Sequence, residues 1–442
     1  MRGEKFARRE KIQVQSTISR PIRKRHMRHE ECTFSKLCKN YYSMNCNFST
    51  IGSLHILRKN KRPKTLESIL AAECNETDVK LTDWDFGDAS AKGDSYLTVV
   101  NKVKLNGLAN GKPVQIDIVI KSLPQNLGRR KTYRSIIFFR NEVAFYTKII
   151  PKFEQFLKSK NQANILCVPR HLKSLVDDME QCTVILEAFA TFHAISFAYK
   201  DQNKEEFDEM VTHLEETYFS PKYWDWYERF HKRLVGIATH ALATEYPNSE
   251  ALKRFTSYKL GSLVKMCYKI CDSPNTPTSV VNQGDSWAPN VLVRDVEGDK
   301  KEALLLDFQL ARCVSPILDL AFFIYSCTDK ALRERFNEML KIYHNKLTSV
   351  INSLGSNAEK LYSWETFMKE VKENFFYGIV FVLEAMPFTM LDNSQAFDLD
   401  TIIKGDEEVN IDDVWTIGNL ETQWKRLRLA DVIVHAVENG FL

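Results

Sequence analysis

The sequence predicts an α+β protein built as a bilobal unit, with a small antiparallel β lobe followed by a larger helical lobe. Three observations predict it. The chain has 442 residues, 44% of them hydrophobic, enough to bury more than one core. Alternating, β-branched sequence is concentrated early, at 96–121. From Met179 onward the apolar residues fall mostly at helical spacing.

Residues 1–63 hold 16 Lys or Arg against 4 Asp or Glu, so they carry +12 while the whole chain carries +4. The remaining body is acidic, which gives no reason to expect nucleic-acid binding. Arg23, Lys24 and Arg25 fit a nuclear signal, a basic patch or a transit-like feature, and 1–63 is read as a disordered extension. His26, His29, Cys32, Cys38 and Cys46 match no common zinc spacing. The ten cysteines include no CxxC and read as reduced thiols. No apolar run of membrane-spanning length and no apolar leader is seen, so a cytoplasmic location without a membrane partner is expected.

Residues 64–178 form the expected small lobe. Thr65 caps a short helix over 65–72, followed by strands at 96–105 and 114–121 around Asn-Gly turn signals in 106–112. A helical pattern over 139–150 is expected to stop at Pro151. Residues 179–442 form the helical lobe, with helices over 182–198, 223–243 and 254–271, a short strand at 303–306, and a helix over 318–327. An acidic loop spans 398–413.

The chemistry-bearing segments are 280–293 (VVNQGDSWAPNVLV) and 304–310 (LLLDFQL). Phosphoryl transfer asks of a protein mainly positioning and charge stabilisation. A carboxylate followed five residues later by an amide, between apolar segments, suits two of those tasks. Asp285 would face an acceptor hydroxyl as base or orienter, and Asn290 would ligate magnesium. A second carboxylate ending a strand, Asp307, would be the principal metal ligand. Taken singly, such residues are as easily a helix cap and turn formers, and it is their joint occurrence that points to phosphate chemistry.

Gly284-Asp285-Ser286-Trp287 with Asn290, Asp307-Phe308-Gln309, and Ser315-Pro316 followed by Asp319-Leu320 resemble the arthropod ecdysteroid kinase-like proteins. That family is related to choline kinases and aminoglycoside phosphotransferases and has a protein-kinase-like fold. The resemblance extends to Thr191-Phe192-His193-Ala194, to 138–146 (FFRNEVAFY) and to 424–442, and it runs from about Leu66 to the end. It implies that Asp319 braces the catalytic loop, that Lys121 holds nucleotide phosphates, and that Glu142 pairs with Lys121. Gly87, Gly93 and Ser95 belong to 86–95 (FGDASAKGDS), which would cover the phosphates.

Two features depart from the family pattern. Gln283 stands where His usually precedes Gly-Asp, and Gln can still donate a hydrogen bond. Between a strand expected around 165–169 and the helix at Met179, the strand, acidic hinge and connector of the family have no counterpart. Val184 to Glu187 superficially resembles a hinge strand but is read as helix. The resemblance thus implies an ATP- and magnesium-dependent O-phosphotransferase for a small alcohol, an ecdysteroid or a xenobiotic. The alternatives are a catalytically impaired pseudokinase or truncated isoform that binds a small ligand, and a protein kinase. The protein kinase is disfavoured because no A-P-E segment follows Asp307. Residues 218–230 (YFSPKYWDWYERF) could line an apolar acceptor pocket or pack a core, and the acidic loop could attract a cationic acceptor or be solvated.

Overall fold

The computed structural model describes residues 13–17, 63–74, 76–89, 97–163, 165–166, 178–272, 275–296, 300–391 and 397–442. They form two compact units, Met1–Phe139 with Asp398–Val409, and Arg140–Phe397 with Asn410–Leu442. The α+β class read from the sequence is the one observed.

The first unit holds a sheet of β1 (Gln13–Thr17), β2 (Val79–Ala89), β3 (Val99–Ala109) and β4 (Lys112–Ser122), all antiparallel in the order β1-β4-β3-β2. β1 comes from the extension read as disordered, so five of its residues are strand. Leu81, Val103, Leu105, Ile116 and Ile118 cover one face of the sheet. Leu66, Ile69 and Leu70 of the Pro63–Cys74 helix pack onto them. The turn expected over 106–112 contracts to Asn110 and Gly111, both at positive φ, because Asn106 already pairs with Gln115.

Residues 398–409 join this unit through side-chain hydrogen bonds and ion pairs. Asn126 Nδ2 donates to Ile403 O at 2.7 Å, Arg129 meets Asp400 at 2.9 Å, and Val409 N donates to Thr132 Oγ1 at 2.9 Å. Further on, Arg229 pairs with Asp413 and Arg233 with Asp412, at 2.5 Å each. Asp400, Asp412 and Asp413 of the 398–413 loop thus meet arginines, while Asp406, Glu407 and Glu408 stand exposed.

The second unit is helical and takes in the chain from Arg140. The reason is aromatic packing: Phe145 lies flat on Phe308 at 3.9 Å between ring centres, and Phe192 packs beside both. The helix does not stop at Pro151. Ser135–Ala144 passes through a π turn, Phe145–Ile149, into the Ile150–Ser159 helix, whose first turn holds Pro151 where no amide bond is lost. The helix expected over 254–271 is broken into Glu250–Ser257 and Ser262–Cys271.

Met179–Gln202 packs on Phe336–Ser353, Ile317–Cys327 on Tyr377–Thr389, and Trp224–Glu245 on Gln423–Glu438. Val184 to Glu187 is helical, as read. Met179–Gln202 is the one helix among the described residues long and apolar enough to cross a membrane. Burial of 72% of its most apolar stretch inside the protein accounts for that composition. Ile165 and Leu166 are not strand, and the rest of the strand expected at 165–169 lies outside the described residues. His26, His29, Cys32, Cys38 and Cys46 lie outside them too.

Candidate active site

The site is built on β5 (Val280–Asn282), β6 (Val291–Val296), β7 (Lys300–Leu305) and β8 (Arg312–Val314). β6 and β7 form a hairpin, and β8 returns antiparallel to β5, with Asn282 opposite Arg312. The loop carrying Asp285 leaves β5, and the turn carrying Asp307 leaves β7, so both loops emerge side by side. Leu306 N donates to Asn290 O at 2.8 Å and ties them. Gly284 makes the close approach possible. Its φ is +87°, and a Cβ there would lie 2.0 Å from Leu310 O. Asp307 is itself left-handed, at φ 56° and ψ 76°, a conformation that surrounding structure must enforce.

Asp319, buried at the start of the Ile317–Cys327 helix, braces the loop that carries Asp285. Its carboxylate accepts from Gln283 N at 2.7 Å and Gly284 N at 2.8 Å, and its backbone carbonyl accepts from Ser286 Oγ at 2.8 Å. His193 Nε2 lies 3.1 Å from the same carboxylate, and Tyr343 Oη lies 2.8 Å from His193 Nδ1. The brace implied by the family resemblance is thus a buried network reaching from helix to loop to helix. Gln283 adds a second clamp. Its Nε2 donates to Leu306 O at 2.5 Å and Asp307 O at 3.0 Å, while its Oε1 accepts from Asp285 N at 2.7 Å. The glutamine therefore serves both loops at once, donor to one and acceptor from the other.

Asn290 Nδ2 donates to the Asp285 carboxylate at 2.8 Å and to its carbonyl at 3.0 Å. Burial pushes the Asp285 carboxyl up to about 7. The Asp307 charge adds to the rise, while hydrogen bonds from Asn290 and Gln309 oppose it. Two carboxylates close enough to repel, beside an amide whose nitrogen is already committed, form a hard-oxygen donor set. A small divalent cation such as magnesium fits it, with Asp307 and the Asn290 amide oxygen as its holders.

The structure brings Asp285, Asn290 and Asp307 together. Lys121, at the end of β4, is buried in the first unit, and Glu142, in the Ser135–Ala144 helix, is fully buried in the second. Gly87 sits in β2 where pairing slips between Phe86 and Ala89. Gly93 and Ser95 lie outside the described residues.

Two groups escaped sequence reading. Asn141 donates to the carbonyls of Gln309 and Ala311, at 3.1 and 2.8 Å, and accepts from Glu215 N at 2.9 Å, so it holds the segment after Asp307. Its position beside Glu142 in the family's helix motif was the available signal. Glu384 accepts from Tyr218 Oη, and from Tyr227 Oη at 3.1 Å. Nothing local in the sequence marks it.

No curated protein matches the chain significantly. Among solved structures it is similar to a Plasmodium vivax ethanolamine kinase, at 12% identity and a TM-score of 0.33. That alignment covers 86% of this chain and 94% of the other. The model of the ecdysteroid kinase-like family matches residues 92–177 and 174–356, two segments that meet where the sequence reading finds the connection short. With more than half of its length matched, this chain belongs to the ecdysteroid kinase-like family, a group of kinase-like phosphotransferases acting on small molecules.

Proposed function

We propose that this protein is an ATP- and magnesium-dependent O-phosphotransferase whose acceptor is a hydroxyl on an ecdysteroid-like or other hydrophobic small molecule. The observation that carries the reading is the double clamp of Gln283 and Asp319, which holds Asp285, Asn290 and the Asp307 turn in one place. Asp285 orients the acceptor hydroxyl and takes its proton as the oxygen attacks the γ-phosphorus and the bond to the β-phosphate oxygen breaks. A pKa lifted towards neutrality suits a group that must accept a proton and later release it. Asp307 and Asn290 hold the metal, which when bound neutralises charge on the phosphates. Lys121 and Glu142 keep the nucleotide roles implied by their motifs.

Purified protein supplied with magnesium, ATP and steroid or phenolic acceptors should consume ATP in an acceptor-dependent way, and Asp285→Asn should stop it. Equal turnover by both forms would refute the mechanism. The second reading, a pseudokinase that binds a small ligand, is favoured by the short connection before Met179, where the family match is also divided. Magnesium- and ATP-dependent thermal stabilisation would count against its strong form.

A further inference from the structure

Among the carboxylates of the second unit that the mechanism does not use, Glu384 stands out. Glu384 lies in the Tyr377–Thr389 helix, half-buried, and both phenol hydrogen bonds, from Tyr218 and Tyr227, go to its Oε2. No lysine, arginine or histidine pairs with it among the described residues. The rings of Tyr218 and Tyr227 lie against it, and Tyr218 is itself set among aromatics. Tyr218 stacks on Phe381 at 5.4 Å and meets Trp226 edge-on at 6.0 Å. A carboxylate in apolar surroundings without a cation is costly unless it serves a ligand or is fully hydrogen-bonded.

A chain of packed side chains connects its helix to the reacting centre. Phe381, one turn before Glu384, stacks on Phe322 at 4.5 Å. Phe322 lies one turn beyond Asp319, whose carbonyl holds Ser286 next to Asp285. The Glu384 charge is also felt at the Asp285 carboxyl. The Tyr218 segment is pre-built: Glu216 accepts from the amides of Tyr218 and Phe219, at 2.7 and 2.6 Å, and is itself paired with buried Arg312 at 3.2 Å.

Resting on the phosphotransfer reading, we propose that Glu384, oriented by Tyr218 and Tyr227, recognises the acceptor, and that the acceptor is a bifunctional alcohol. One hydroxyl reacts at Asp285, and a second hydrogen-bond donor, a hydroxyl or an ammonium, meets Glu384 Oε1 while the apolar body lies on Tyr218, Trp226 and Phe381. A monohydric alcohol leaves the carboxylate unanswered and binds poorly, because a site built around a donor rejects the analogue that lacks it.

The test is kcat/KM for a monohydric alcohol, a vicinal diol and an amino alcohol on one phenylpropyl skeleton, and for a monohydroxylated against a polyhydroxylated sterol. Wild type should prefer bifunctional acceptors by about tenfold or more, and the diol-to-amine ratio names the donor. Glu384→Gln should shrink the preference, with the loss carried by KM. Tyr218→Phe, which keeps the ring and removes one bond to Glu384, should move the ratio the same way by a smaller factor. A monohydric alcohol used equally well overturns the proposal, as does a preference that survives Glu384→Gln, or that survives Tyr218→Phe should the first variant not fold. Turnover of no acceptor at all refutes the phosphotransfer reading itself, and this inference with it.

Discussion

Burial and the Asp307 charge favour the neutral form of Asp285, while the amide hydrogens of Asn290 and Gln309 favour the charged one. A proton acceptor held between such demands responds sharply to its neighbours. Gln283→Ala removes both donations to the Asp307 turn and the acceptor for Asp285 N. We expect kcat to fall by about ten- to a hundredfold, with circular dichroism unchanged; unchanged kinetics would show that Asp319 alone sets the loop. Glu384 should report itself in stability measurements as a titrating group. Burial raises its carboxyl to about 7 from an ordinary value of 4.5, and the phenols of Tyr218 and Tyr227 oppose this only in part. Between those values the folded state binds more protons than the unfolded one, so the group weakens folding as pH rises through that window. The Tm difference between Glu384→Gln and wild type should be near zero at the acidic end and grow to a plateau above about pH 7. Asp285 is the neighbouring acid whose own titration must be carried in the fit. A difference that does not vary with pH would contradict the assignment.

The elements around the site are held by contacts that can be removed one at a time. Phe145→Ala opens a cavity against Phe308 and Phe192 and should cost about 3–5 kcal/mol in chemical denaturation. Gly284→Ala forces a left-handed backbone and a clash with Leu310 O. A loss of about 2 kcal/mol or more, with activity abolished, is expected. What could be read from the sequence follows from the range of the interactions. The apolar run at 303–306 marked β7, whereas β5, β6 and β8 are too short or too polar to announce themselves as strands. Asp285, Asn290 and Asp307 were legible as a group because spacing within a few residues suggests their chemistry. The Asn-Gly turn was legible for the same reason, and only its width was misjudged. The helix limit at Pro151 was misread because proline is harmless in a first turn, and the π turn before it restarts the helix. Glu384 was invisible because its partners lie 166 and 157 residues away. No local periodicity reports a contact of that separation.

At the scale of the whole molecule, the connection before Met179 decides between an active enzyme and an impaired one. The family match divides at 174–177, and in the second unit Leu166, Val184, Glu187, Thr191, Leu305 and Lys346 line a recess of about 150 Å³. The transcript across Cys167 to Cys182 bears on this directly, since a longer form would restore the family's connector. Nucleotide binding is the thermodynamic check. A ligand at a hundred times its Kd stabilises by about 2.7 kcal/mol, so magnesium with ATP should raise Tm by several degrees in calorimetry, and no rise would favour the pseudokinase. The central claim is that the centre of Asp285, Asn290 and Asp307 transfers a phosphoryl group to a small alcohol. Its most direct test follows γ-labelled ATP with magnesium and an acceptor library, comparing wild type with Asp285→Asn. Label should appear on a small-molecule acceptor with wild type and fall by about a hundredfold to ten-thousandfold in the variant. Equal labelling by both proteins, or none by either, would contradict it.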